Sequence, residues 1–205
     1  MNRKAMGRMG LLVVLLGFFA SAVGAQSPTA VIEEAMELVA EKLENQQEAL
    51  KADKVALYAL IDEILLPRFD RRYAARLVLG RTVRTASDTQ IDRFVEAFYA
   101  SMVQKYADGV LEFDEDRIQV LNFRGDDTKP RVVIKTIVTL EDGTKVPIDY
   151  GMVRRESGWL MFDVTIEGIS YVRNFRAEIN AEIEETSLDA VIARLEKETG
   201  IDVAQ

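Results

Sequence analysis

Among the side chains able to do chemistry, Asp163 is the most conspicuous, because Phe162 and Val164 flank it in an alternating apolar stretch. A carboxylate held in apolar surroundings has a raised pKa and can serve as a general acid or base. Strand alternation offers a plainer account, with Asp163 turned away from the face that Phe162 and Val164 occupy, in a surface or hydrogen-bonded structural role. Asp149 beside Tyr150, and Glu167, are open to the same two readings; Trp159 suits packing as well as stacking on a substrate. Beyond these the inventory is short. The 205 residues contain no histidine and no cysteine. The commonest general base, the commonest metal ligand, thiol nucleophiles, zinc–thiolate sites and disulfides are therefore all excluded. There is no Gly-rich phosphate loop, no Gly-x-Ser-x-Gly and no His-Glu-x-x-His. No catalytic residue, cofactor or metal is indicated.

Composition describes a globular protein: 48% of residues are hydrophobic and 29% charged, with a mean hydropathy of −0.02. Residues 1–25 read as a cleaved signal peptide. Arg3, Lys4 and Arg8 form a positive start, Leu11 to Phe19 a short apolar core, and Val23-Gly24-Ala25 a small-residue cleavage site. Residues 26–205 then form a single domain, free in the compartment it enters. Loss of Arg3, Lys4 and Arg8 takes the net charge from −8 to −11, which disfavours nucleic acid as a partner. Against that acidity, Arg68, Arg71, Arg72, Arg76, Arg81 and Arg84 crowd a short stretch with Asp70 as its one acid. They form either a solvated helix face or a docking patch for an acidic partner or phosphate headgroups. Arg71, Arg72 and Arg76 are the docking candidates.

The elements that must position these residues run helices, strands, helices. Residues 30–50 align Ile32, Met36, Val39 and Leu43; residues 53–66 align Val55, Tyr58, Ile61 and Leu65. Pro67 and Gly80 bracket a third helix carrying Phe69, Tyr73 and Leu77. Ser87-x-x-Gln90 is a capping box, opening a helix with Ile91, Phe94, Val95, Phe98, Tyr99, Met102, Val103 and Tyr106 at three- and four-residue steps, closed by Asp108-Gly109. The period then changes to two across 117–123, 131–140, 145–154 and 159–166, joined by tight turns at 141–144 and 156–158, which predicts an antiparallel meander. Two helices close the chain, one with Val172, Phe175, Ile179 and Ile183, the last with Leu188, Val191, Ile192 and Leu195. The fold class is α+β, with helices packed on one face of a curved sheet.

Several stretches resemble one family. They are Tyr73-Ala-Ala-Arg-Leu-Val-Leu-Gly80, then Thr89-Gln90 with Phe94, Phe98 and Tyr106, then Ile148-Asp-Tyr-Gly-Met152, Trp159-Leu-Met-Phe-Asp-Val-Thr-Ile-Glu-Gly-Ile-Ser170, Asn174-Phe-Arg176, and Leu188 to Leu195. In order and spacing the chain is similar, over about 30–200, to the MlaC-type periplasmic phospholipid-binding proteins of the Mla pathway, the toluene-tolerance auxiliary components. It departs from their pattern at Arg81 to Arg84, where an aromatic is usual, and at Ser187, where glycine is usual.

The resemblance implies a core like that of nuclear-transport-factor-2-like proteins, with about four curved antiparallel strands wrapped by six or more helices. It implies a monomeric periplasmic carrier that holds a phospholipid by its acyl chains and maintains outer-membrane lipid asymmetry. Its implied partners are an inner-membrane transporter complex and an outer-membrane lipoprotein–porin complex. The apolar residues expected to form the cavity wall are Phe94, Phe98, Met102, Val132, Ile134, Val138, Tyr150, Met152, Leu160, Phe162 and Val164. Phe69, Tyr73 and Leu77 are expected to form a movable flap. The competing classes are an isomerase- or dehydratase-type enzyme using Asp163, or Asp149 with Tyr150, and an interaction or chaperone-like protein. What the purified protein carries distinguishes all three.

Overall fold

Helices begin where a short polar side chain can take the free N–H groups of the first turn. In the computed structural model, which describes residues 26–200, Ser27 accepts from Ala30 N–H and Pro28 stands at the first position of α1 (Pro28–Ala52). Asp53 ends α1 and caps α2 (Lys54–Leu65), accepting from the Val55 and Ala56 amides. Asp70 caps α3 (Arg71–Leu79), and Ser87 with Gln90 completes the expected capping box of α4 (Asp88–Leu111). Ser170 and Ser187 cap α5 (Tyr171–Glu185) and α6 (Leu188–Thr199) in the same way. The expected signal segment lies outside the described residues.

The five strands are β1 (Ile118–Val120), β2 (Arg131–Thr139), β3 (Lys145–Arg155), β4 (Gly158–Ile166) and β5 (Ile169–Ser170). They pair antiparallel in chain order. Together with the six helices they make the α+β fold that the sequence implies, with β5 an extra strand beyond the four expected. Register places Val132, Ile134 and Thr136 opposite Met152, Tyr150 and Ile148. On β4 the order breaks: Gly151 faces Asp163, but Met152 faces Met161, leaving Phe162 as the extra residue of a bulge. Gly151 makes room for that ring, since a Cβ there would lie 3.1 Å from Phe162 Cζ and 3.2 Å from Asp163 Cβ.

Three separate apolar clusters hold these elements together. The first joins α3, α4, α5 and α6 through Val78, Leu79, Phe94, Phe175, Val191 and Ile192. The second joins the later part of α1 to α2 and the end of α4, through Leu43, Leu50, Leu57, Val103 and Leu111. The third seats Val31, Ile32 and Met36 of α1 on Val132, Ile134, Met152, Trp159 and Met161 of the sheet. Trp159 is thus core packing, with the Arg154 guanidinium 4.7 Å above its ring.

Several local expectations change. Val55 points outward and is 78% exposed, because the cap at Asp53 turns the first turn of α2 to solvent. Helix α4 runs through Asp108-Gly109 to Leu111, since Ala107 and Leu111 are buried in the second cluster and tertiary packing outweighs the weak helix propensity of glycine. Phe69 is not on α3: it bridges Met161, with Asp70 N–H donating to Met161 O at 2.8 Å and Met161 N–H donating to Arg68 O at 2.7 Å. Gly151→Ala is expected to destabilise the protein by about 1–3 kcal/mol through overpacking against Phe162. Urea denaturation measures this, and an unchanged midpoint would mean that the bulge yields freely.

Candidate functional site

Where the three clusters meet, side chains stop short of one another and leave an apolar cavity of about 330 Å³. Its longest wall is α4. Val95, Phe98, Tyr99, Met102, Val103, Tyr106, Ala107 and Val110 line it at the spacing of a single helical stripe. That stripe extends for about 22 Å at 1.5 Å per residue. Ile61 and Leu65 of α2, with Phe69, supply a second side. Phe162, Val164 and Ile166 of β4 face them, and Tyr171, Val172 and Phe175 of α5 close the remainder. The volume is roughly twice that of an engineered ~150 Å³ cavity that takes up benzene, and near the lower end of ligand sites, about 300 Å³.

The wall is stiffened by a run of aromatic contacts. Phe94 stacks on Phe98 at 5.3 Å between ring centres, Phe98 meets Phe175 edge-on at 5.4 Å, Phe175 meets Tyr171 at 6.1 Å, and Tyr171 meets Tyr106 edge-on at 5.3 Å. Such pairs add cohesion beyond area burial and keep the rings from collapsing into the space beside them. At the Tyr106 end, that ring is 41% exposed and the Lys105 ammonium lies 5.7 Å above it and 5.5 Å above Phe175. Burial raises the pKa of both Tyr106 and Tyr171, so the phenols stay neutral.

Two charged residues belong to the wall among the described residues, Arg71 and Asp163. Asp163 accepts from Ser170 Oγ at 2.6 Å and from Val172 N–H at 3.0 Å. Its carboxylate fastens the start of α5 to β4, the structural one of its two sequence readings. Asp149 and Tyr150 are consecutive on β3 and project to opposite faces, so they do not converge on a substrate. Arg71 Nη1 donates to Glu96 Oε2 at 2.8 Å, and its guanidinium stacks 5.1 Å from the Tyr99 ring centre. Tyr99 Oη in turn donates to Asp62 Oδ1 at 2.7 Å. Burial, then this hydrogen bond, raises the Tyr99 pKa well above its ordinary value. No cluster of acidic side chains suited to a metal occurs among the described residues.

Of the expected wall residues, Phe98, Met102, Phe162 and Val164 line this cavity. Phe94 is fully buried behind Phe98. Val132, Ile134 and Met152 lie instead under α1 in the third cluster, with Tyr150 at its edge. Leu160 pairs with Val153, on the other face of β4 from Met161. Val138 opens into a separate, broad groove of about 1400 Å³ of mixed lining, where Leu43, Leu111 and Phe113 stand beside acids such as Glu44 and Asp108. The reason is twofold. Helix α1 fills the half of the sheet where β2 presents its apolar residues, and the bulge resets parity along β4. Sequence reasoning missed Tyr171, Val172 and Phe175, because nothing in the spacing of α5 tells which of its faces meets a void.

The expected flap is not a free helix. Phe69 is held in its bridge to Met161 and lines the cavity. Tyr73 packs edge-on against Phe162 at 5.1 Å under the Arg155 guanidinium at 4.8 Å, while its hydroxyl accepts from Arg131 at 3.2 Å. Leu77 is half-buried outside the cavity. The arginine cluster is partly neutralised: Arg68 lies 3.6 Å from Glu34, Arg71 pairs with Glu96 and Arg72 with Asp92. Arg76 is exposed and has no acidic partner among the described residues.

Fold and site together define an α+β binding protein built around an apolar cavity, without a convergent catalytic constellation among the described residues. The family model described as MlaC protein matches residues 33–197, and the chain belongs to the MlaC family. It is 29% identical over 170 residues to toluene tolerance protein ttg2D of Pseudomonas putida, covering 82% of this chain and 79% of that protein. It is 22% identical over 192 residues to the intermembrane phospholipid transport system binding protein MlaC of Haemophilus influenzae, covering 91% and 90%. A phospholipid-binding protein from Ralstonia solanacearum, solved in complex with a phospholipid, shares the fold with a TM-score of 0.76. It is 17% identical, over 85% of this chain and 98% of that one.

The raised Tyr99 pKa has a signed consequence. The group holds its proton more tightly folded than unfolded, so its contribution to stability is complete below the ordinary value of 10.0 and is lost as pH rises beyond it. Tyr99→Phe is therefore expected to be slightly less stable than wild type at pH 7, having lost the bond to Asp62, but to lose less further stability above pH 10. Thermal melts across that range check it.

Proposed function

We propose that this chain is a soluble periplasmic carrier that holds a phospholipid by its acyl chains and shuttles it between outer- and inner-membrane complexes, sustaining outer-membrane lipid asymmetry. The observation that carries this reading is the cavity itself: an apolar stripe on α4 facing β4 and α5. Membership of the MlaC family supports it. So do the relative named for intermembrane phospholipid transport and the similarly folded protein holding a phospholipid. The physical need is large. A diacyl phospholipid has about 30 methylenes, each costing about 0.8 kcal/mol in water, so unaided desorption is very slow. A carrier has to shelter those methylenes and needs no proton transfer or covalent step.

In this reading a diacyl ligand needs more room than a cavity of this volume, and the helices and β4 separate as it enters. The division of the core into three clusters makes this tolerable, since widening the seam leaves most contacts within each cluster in place. Directionality then comes from the membrane complexes. Arg72 and Arg76 are the exposed positive groups best placed to steer approach to an acidic partner surface, acting against a mature chain of strongly negative charge.

Met102→Glu puts an unpaired charge in the wall and is expected to abolish lipid co-purification in a folded protein. Val138→Glu, in the separate groove, is expected to leave the lipid load intact. Organic extraction and mass spectrometry read both, and a normal load in Met102→Glu would remove the cavity from consideration as the lipid site. Reversal of Arg72 and Arg76 to glutamate is expected to slow lipid exchange with membrane complexes at low salt, with the defect shrinking as screening rises. Wild-type rates at low ionic strength would return the cluster to a solvated face.

A further inference from the structure

We propose that Arg71 reads the phosphate of the bound lipid, so that the headgroup sits at the α3 end of the cavity and the acyl chains run along α4 toward Tyr106. This rests on the carrier reading above and gives the ligand a polarity and a chemical class. The cavity is an apolar channel with a charge at each of two positions, and the two charges are not equivalent. Asp163 is already occupied by Ser170 Oγ and the Val172 amide and would repel an anion. Arg71 stands in the wall itself. Its side chain is 31% exposed, so the guanidinium reaches both the apolar interior and water, as a group bridging lipid tails and a wet headgroup must.

The guanidinium is also preorganised. Stacking on Tyr99 holds its plane, and Tyr99 is itself held by its bond to Asp62. One N–H of the fork goes to Glu96, and the other donors have no hydrogen-bond partner among the described residues, leaving capacity for the two-point contact that arginine makes with phosphate. Glu96 is the brake on this site. Its carboxylate, about half exposed, competes with a phosphate for the same cation, and water screens the pair enough for exchange to be easy. Lys105, at the far end, lies outside the wall with its ammonium over the rings of Tyr106 and Phe175, and carries no headgroup in this arrangement.

The test is competitive loading of the delipidated protein from vesicles holding equal phosphatidylglycerol and diacylglycerol, which share tails and differ in the phosphate. Wild type is expected to enrich phosphatidylglycerol, and Arg71→Gln to reduce that enrichment about tenfold while keeping its total lipid load, the loss expected of one partly solvated charge-assisted contact. Glu96→Gln, which leaves the cation in place, is expected to raise the enrichment, and Lys105→Gln to leave it unchanged. An Arg71→Gln protein that still prefers phosphatidylglycerol to the wild-type extent overturns the proposal, as does loss of preference in Lys105→Gln instead. Inorganic phosphate in excess is expected not to compete, because it lacks the tails. Competition at low millimolar concentration would make Arg71 a free-anion site and overturn the headgroup assignment. A wild type that takes up neither lipid overturns the carrier reading itself.

Discussion

The structure depends on a seam that is left unfilled. Three apolar clusters, one among α3 to α6, one among α1, α2 and α4, and one between α1 and the sheet, approach one another, the last two meeting at Leu65 and Phe113. Protein interiors ordinarily close to crystal-like density. Here α4 is shared between two clusters and its Val95-to-Val110 stripe is left facing a gap. A void of this kind forfeits dispersion contacts along its whole lining, a cost that the acyl chains of the proposed ligand would recover.

Keeping such a void open requires walls that do not relax into it, and local devices supply them. The aromatic run from Phe94 to Tyr106 braces α4 against α5. Asp163 ties the first turn of α5 to β4 through Ser170 and Val172. Hydrogen bonds between Met161 and residues 68–70 anchor the approach to α3, and the bulge at Phe162, admitted by Gly151, sends that ring toward Tyr73. The polar groups of these fastenings are taken up by protein partners, as Asp163 is by Ser170 and Val172.

Electrostatics divides the same surface. The chain is acidic overall, yet its cations gather around α3 and are mostly answered by acids brought from α1 and α4. What is left over among the described residues is Arg76, Arg81 and Arg84, all exposed and without an acidic partner, while Arg71 is paired and lies in the wall. A cluster that in sequence reads as a basic patch is in three dimensions half ion pairs, Arg68, Arg71 and Arg72 each meeting an acid.

By itself, the sequence determined the elements, the fold class and the exclusions. Period and capping residues placed α1 to α6 because helix starts depend on neighbours one to three positions away, as at Ser87 and Gln90. The absence of histidine and cysteine ruled out imidazole and thiol chemistry without any coordinates. Tertiary structure alone decided which apolar residues bury against protein and which face the cavity. Ile134 and Val164 are alike in sequence, but α1 packs on the first while the second faces the cavity. The bulge at Phe162 broke the parity that would have put Leu160 with Val164, and Val55 faced outward although its spacing matched an inward stripe. Periodicity reports that a side chain has an apolar face to satisfy. Whether protein or a guest satisfies it depends on elements far away in the chain.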